Sequence, residues 1–303
     1  MFYIKTINMK CHRLFLLFFF ALIYTSIQAT ELTLFKALTV EPNVTKDGVK
    51  GMTIIYTFNL TPIEDINPKD TVLKNASFVF KTTFSENDKP IKSAKGYNSV
   101  SNETGNVVIE RYLSLTETEA TKNNQTIRQF VPYAALQLDS GKHTIDVTAV
   151  FSGKDGNDIA YKTTLKKPQV QILKPKVKIF TMDIDYIEVN DFNRSGQAWD
   201  YAFFKTDAPD VGVNILIGGT SVYKAHVNDT HMFAVGPNSK NIIFAISEND
   251  KVKVLIQDID VMFNDDIANW DFYTSDKKTN TVYTYNKSKG NIKSCNLTFK
   301  ITD

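Results

Sequence analysis

The chain has 303 residues, room for two domains of ordinary size, and its 43% hydrophobic and 22% charged residues are those of a globular protein, not a disordered tail. Basic and acidic side chains number 35 and 33, for a formal charge of +2, and only four of the basic residues are arginine. That balance excludes a charge-driven nucleic-acid binder as the default, because bidentate phosphate and base contacts draw on Arg. Four histidines and two cysteines leave little material for metal or nucleophile chemistry.

The chain opens on a targeting pattern. Lys5, Lys10, His12 and Arg13 precede an uncharged apolar run at 14–23, and small and polar residues then lead to Ala29. This is the n-region, h-region and cleavage site of a signal peptide over 1–29, with Ile27 and Ala29 in the two positions the peptidase reads. The apolar run is about half the roughly 20 residues a membrane-spanning helix needs. Cleavage would remove Cys11 and leave Cys295 alone, so the exported chain has no internal disulfide and must be held by its core. Cys295, in a late strand pattern, reads as a small core residue.

From residue 30 onward, the pattern is that of strands. Alternating β-branched and aromatic runs occur at 52–60, 76–84, 106–115, 128–138 and 142–151. In the last of these, Ile145, Val147, Ala149 and Phe151 mark every second position, the period of a half-buried strand. Asp47-Gly48, Ser140-Gly141 and Asp155-Gly156-Asn157 supply turns. The Ser-, Asn- and Lys-rich stretch 84–105 reads as an exposed loop, and 114–123 as a short helix or loop. Phe130-Val131-Pro132-Tyr133 suits an edge strand or bulge, since Pro cannot donate to a ladder. Pro168 and Pro175 bracket a short extended piece, which places a boundary near 166–176. The expectation is an all-β protein of two tandem antiparallel β-sandwich domains, an Ig-like one over 30–170 and a second over 174–303.

The second half carries the one constellation with chemical content. Val252, Val254 and Ile256 alternate in a strand that runs into Asp258-Ile259-Asp260, followed by Asp265-Asp266. Carboxylates at i and i+2 of an extended segment point the same way. Several gathered on one loop repel each other unless a cation sits among them, and calcium favours such oxygen donors. The loop lacks the central Gly and closing Glu of an EF-hand.

This strand with Asp258-x-Asp260 and Asp266 resembles the third ligand loop of C2 domains, and Trp199-Asp200 with Pro209-Asp210-Val211 resembles their first. The resemblance implies an eight-stranded sandwich over the second half. It implies Ca2+ held by Asp200, Asp210, Asp258, Asp260 and Asp266, with Asp207 as the alternative to Asp200. It also implies docking to a membrane surface or a protein partner, with Met262 and Phe263 at the loop tip as the contact residues. The bland alternative for these acids is a set of solvated turn residues. Trp199, Tyr201 and Phe203 alternate, which fits one sheet face packed in the core better than an insertion tip.

An enzyme finds little support. His226 and His231 flank a predicted hairpin turn without a third ligand, and there is no nucleophile elbow, His-Glu-x-x-His or phosphate-binding glycine loop. The reading is therefore of a secreted, periplasmic or cell-envelope protein without catalytic residues, binding a partner through calcium loops. The alternatives are a structural or adhesive module without metal and a carbohydrate-binding module.

Overall fold

The computed structural model describes residues 35–58, 77–114, 125–154, 160–191, 200–202, 205–228, 230–234, 239–259, 264–286 and 289–303. The predicted signal peptide, the stretch 115–123, Trp199, Phe203, Asp260, Met262 and Phe263 lie outside the described residues. Among the described residues there is no α-helix.

The first half contributes β1 (Phe35–Lys46), β2 (Val49–Phe58), β3 (Ser77–Glu86), β4 (Lys89–Pro90), β5 (Val108–Ser114), β6 (Gln125–Pro132), β7 (Gly141–Lys154) and β8 (Ala160–Lys174). One antiparallel sheet has the order β1-β2-β6, the other β4-β3-β7-β8 with β5 also on β3. The second half contributes β9 (Val177–Val189), β10 (Asp200–Ala202), β11 (Lys205–Asp207), β12 (Val211–Ile217), β13 (Thr220–Val227), β14 (Met232–Ala234), β15 (Ile242–Ser247), β16 (Lys251–Ile259), β17 (Asn264–Tyr273), β18 (Val282–Tyr285) and β19 (Ile292–Thr302). Its sheets run β13-β12-β16-β17 and β14-β9-β19-β18, with β15 on β9, and β10 and β11 form a separate hairpin. The protein is all-β, built of antiparallel sheets packed as sandwiches, and sheet membership changes across Pro175-Lys176.

Alternation explains the layers. Along β16 the side chains of Val252, Val254 and Ile256 are buried while their neighbours are partly open, and β19 alternates in the same way through Cys295, Leu297, Phe299 and Ile301. Facing rows then meet through aromatic rings. Phe80 of β3 lies 4.8 Å from Tyr56 and 5.4 Å from Phe58 of β2, which joins the two first-half sheets. Phe272 of β17 lies 5.0 Å from Phe299 of β19, which joins the other two. Such pairs add to the large area that each ring withdraws from water. A buried polar pair in the first core is self-satisfied, the Tyr56 and Thr82 hydroxyls lying 2.7 Å apart. Two-residue turns with positive φ at both positions close three hairpins, at Asp47-Gly48, Asn87-Asp88 and Gly218-Gly219. This is the turn whose twist matches that of the strands.

One expectation requires correction. The polar stretch 84–105 is not an exposed loop. It folds back against the sandwich, and Ile91, Tyr97 and Val100 are buried. Pro168 lies within β8, which runs on to Lys174. It sits at a register shift of the β7–β8 ladder, beside Gln169 at φ 54, whose N–H donates to Asp146 Oδ1 at 2.8 Å. A bulge tolerates the missing donor of Pro. Pro132, by contrast, ends β6, the outer strand of its sheet, and the following turn Tyr133–Ala135 is buried.

The halves interlock at a junction. Ala245 N–H donates to the Lys95 carbonyl at 2.9 Å. At Gly96, with φ +87, a Cβ would fall 2.3 Å from that of Phe244, so only glycine lets the two backbones approach this closely. Beneath lies Asp250, 1% exposed, whose carboxylate accepts the N–H of Ser247 at 2.7 Å and, across the junction, that of Lys50 at 3.4 Å. Desolvation pushes the Asp250 carboxyl up to about 7, although the Ser247 and Lys50 amides and the Lys174 charge hold it down. Lys174, 2% exposed, is lowered to about 8 by burial, with Asp139 and Asp250 opposing. The Tyr97 hydroxyl is raised by burial and further by Asp250.

Candidate functional site: the acidic rim of the second sandwich

Strand β16 pairs with β12 on one side and β17 on the other, so its final residues bring the acids of two distant stretches to one end of the sheet. Asp258 stands opposite Val211 on β12 and opposite Asp265 on β17. Its position continues the inward row of Val252, Val254 and Ile256, and it is 0% exposed. The buried carboxylate is used at once, because Asp210 N–H donates to Asp258 Oδ1 at 2.8 Å. The exchange is reciprocal along the backbone, with Ile259 N–H donating to the Asp210 carbonyl at 2.9 Å. The Pro209 carbonyl accepts Thr230 N–H at 3.0 Å, which ties the turn before β12 to the β13–β14 connection.

The structure therefore brings Asp210 and Asp258 together and sets Asp266 apart. A register shift after Ile256 places Asp266 opposite Gln257, one step from Asp258. Asp266 is exposed, and its Oδ1 accepts Gln257 Nε2–H at 3.0 Å. Neighbouring strand residues point to opposite faces, so Asp258 faces the interior and the Gln257–Asp266 pair faces outward. Asp200 lies on β10 opposite Asp207 on β11, and only its backbone is described. Asp260, Met262 and Phe263 lie outside the described residues. Among the described residues no three His, Cys, Asp or Glu side chains form a group able to hold a metal ion. His226 is exposed on β13 and His231 is half-buried.

Hard oxygen donors are the chemistry calcium selects. At this end Asp258 Oδ1 is engaged by the Asp210 backbone amide, and the Asp266 carboxylate lies on the outer face. Sequence reasoning did not anticipate the commitment of Asp258 to a backbone amide. Its signal was the uninterrupted alternation of β16, which makes position 258 an inward one.

No protein-family model matches the chain, and no curated protein does. Among solved structures, the chain is similar to the tandem C2 domains, A and B, of Extended-Synaptotagmin 2. The calcium-bound structure shows 9% identity and a TM-score of 0.30, covering 75% of this chain and 96% of that one. Another structure of the same domains shows 8% identity and a TM-score of 0.30, covering 80% and 95%. At these values no residue's role transfers.

Proposed function

We propose that this is an exported, non-enzymatic binding protein whose second sandwich takes up calcium at its acidic rim and docks there to a membrane surface or a protein partner. One observation carries the reading: Asp210 and Asp258, 48 positions apart, meet at the same end of one sheet. Calcium would supply the positive charge that lets further carboxylates close on that end, with Asp260, two positions beyond Asp258 in the sequence, as the first candidate. The charged pattern of 1–29 supports export.

A second reading, a structural or adhesive envelope module without metal, is favoured by the partners these acids already have. Asp258 is held by the Asp210 amide and Asp266 by Gln257. Thermal unfolding of the chain lacking residues 1–29, with and without millimolar calcium, separates the two. A ligand that binds only the folded state raises its melting temperature. The calcium reading requires such a rise, abolished in Asp258→Asn/Asp260→Asn, and calcium-dependent co-sedimentation with anionic vesicles would then identify a membrane as the partner. An unchanged melting temperature in the unmutated protein sinks it and leaves the structural module.

A further inference from the structure

We propose that a cleft between the open edges of the second sandwich, farther along β17 from the acidic rim, binds a neutral saccharide. Strand β17 ends one sheet and β18 ends the other, so among the described residues no further strand covers either edge. Between them lies a cavity of about 360 Å³, within the size of small-molecule clefts. Its floor is aromatic and continuous. Trp270 packs 5.3 Å from Tyr285, Phe272 5.6 Å from the same ring, and Tyr283 stacks on Phe299 at 5.3 Å. Trp270, Phe272 and Phe299 are buried, whereas Tyr283 and Tyr285 are partly open and Tyr273 is 48% exposed. Aromatic surface of this kind is open at a place where solvent, not another strand, meets it.

The charged groups around the cleft decide what it takes. Asp271, Asp276, Lys277 and Lys289 line it, two of each sign. Each has a local counterpart: Asp271 pairs with Lys251 at 3.4 Å, and Asp276 Oδ1 accepts the Ser275 hydroxyl at 3.0 Å. Lys277 Nζ sits 4.9 Å from the Tyr283 ring centre, and Lys289 Nζ donates to the Asn269 carbonyl. With the charges balanced, an ion finds no net attraction. An apolar ligand would strip water from four charged heads without replacing it. A fully polar one would gain nothing from the rings. A pyranose meets both demands, laying its C–H face on the exposed Tyr273 ring, with its hydroxyls donating to the carboxylates and accepting from the ammonium groups.

The chain lacking residues 1–29 is titrated in EDTA, so that failure of the calcium reading has no bearing, with soluble cello-, xylo-, malto- and chito-oligosaccharides, followed by calorimetry. Saturable binding to at least one series is expected. Tyr273→Ala and Asp276→Ala, both at exposed positions, should each weaken it by about tenfold at an unchanged melting temperature. No binding at millimolar sugar overturns the proposal. So does binding that neither substitution alters, which would place the sugar elsewhere, or tighter binding of tetramethylammonium than of any sugar, which would make the ligand a cation.

Discussion

The junction and the rim each bury an aspartate, and they use it differently. Asp258 at the rim accepts an amide from the neighbouring strand of its own sheet. Asp250 at the junction accepts one amide from its own turn and one from β2 in the other half, with the buried Lys174 as counter-charge. Both carboxylates are nearly inaccessible. The difference lies in what each fastens: Asp258 closes the end of a ladder, while Asp250 holds two sandwiches against each other. A buried carboxylate in this chain is therefore first a fastener, and a ligand role at the rim has to compete with that.

The comparison breaks most visibly at the junction. Asp250→Ala leaves the buried Lys174 with Asp139 as its remaining counter-charge and takes the Asp250 acceptor from two amides, so a loss of up to about 3–5 kcal/mol is expected, read by urea unfolding. Adding Lys174→Met should recover a large part of it. If the single substitution costs less than about 1 kcal/mol, the junction is not held by this pair.

The same pair sets a pH dependence. Asp250 has its folded pKa raised, from 3.8 to about 7. Its contribution is fully present below the unfolded value and is lost as pH rises through the folded one. Lys174 is depressed from 10.5 to about 8. Its contribution is present above the unfolded value and lost as pH falls through the folded one. The pair therefore contributes least between about pH 7 and 8, with stability rising by as much as a few kcal/mol toward about pH 4 on one side and about pH 10 on the other. Unfolding curves across that range for the wild type and for Asp250→Asn/Lys174→Met should differ by a curve with its minimum there. Parallel curves would contradict the assignment.

At the contact above the pair, Gly96→Ala should cost roughly 1–3 kcal/mol, because its Cβ would meet Phe244. Gly105→Ala is the control. It has a similar φ of +72 with nothing within 4 Å, and should cost only the backbone strain of about 1–2 kcal/mol. Equal losses would show that the close approach of the halves is not what Gly96 serves.

What the sequence discloses follows from how local each cause is. The strands are legible because alternation is written residue by residue, as in 145–151, and Asp47-Gly48 announces its turn directly. Asp258 is half legible, since its type suggests a ligand and its place in the β16 alternation suggests burial. Asp250 is illegible. Ser247-Glu248-Asn249-Asp250 has the composition of a solvated turn, and two of the groups that engage Asp250, Lys50 and Lys174, lie far away in the chain. The stretch 84–105 misleads for a related reason. Its polar residues outnumber Ile91, Tyr97 and Val100, yet those three are covered by neighbours no local window contains. At Pro168 the missing donor is visible in the sequence, whereas the bulge that accommodates it is a property of the β7 register.

The smallest expected effect returns to the rim and sharpens its contrast with the junction. Asp258→Ala removes the acceptor of the Asp210 amide, a cost of about 1–3 kcal/mol. Asp258→Asn keeps a carbonyl oxygen where Oδ1 stands and should cost less than Ala. Asp250→Asn, by contrast, gives up one of two amide acceptors as well as the counter-charge of Lys174. Fastening alone therefore predicts a large gap between Asn and Ala at 258, and at 250 a loss in both. If calcium also binds the rim, Asn and Ala at 258 become equivalent in one respect only: both abolish the calcium-induced rise in melting temperature while still differing in its absence. Two melting curves per variant, with and without calcium, thus separate the carboxylate that ties a ladder from the carboxylate that holds an ion, even though both are the same side chain.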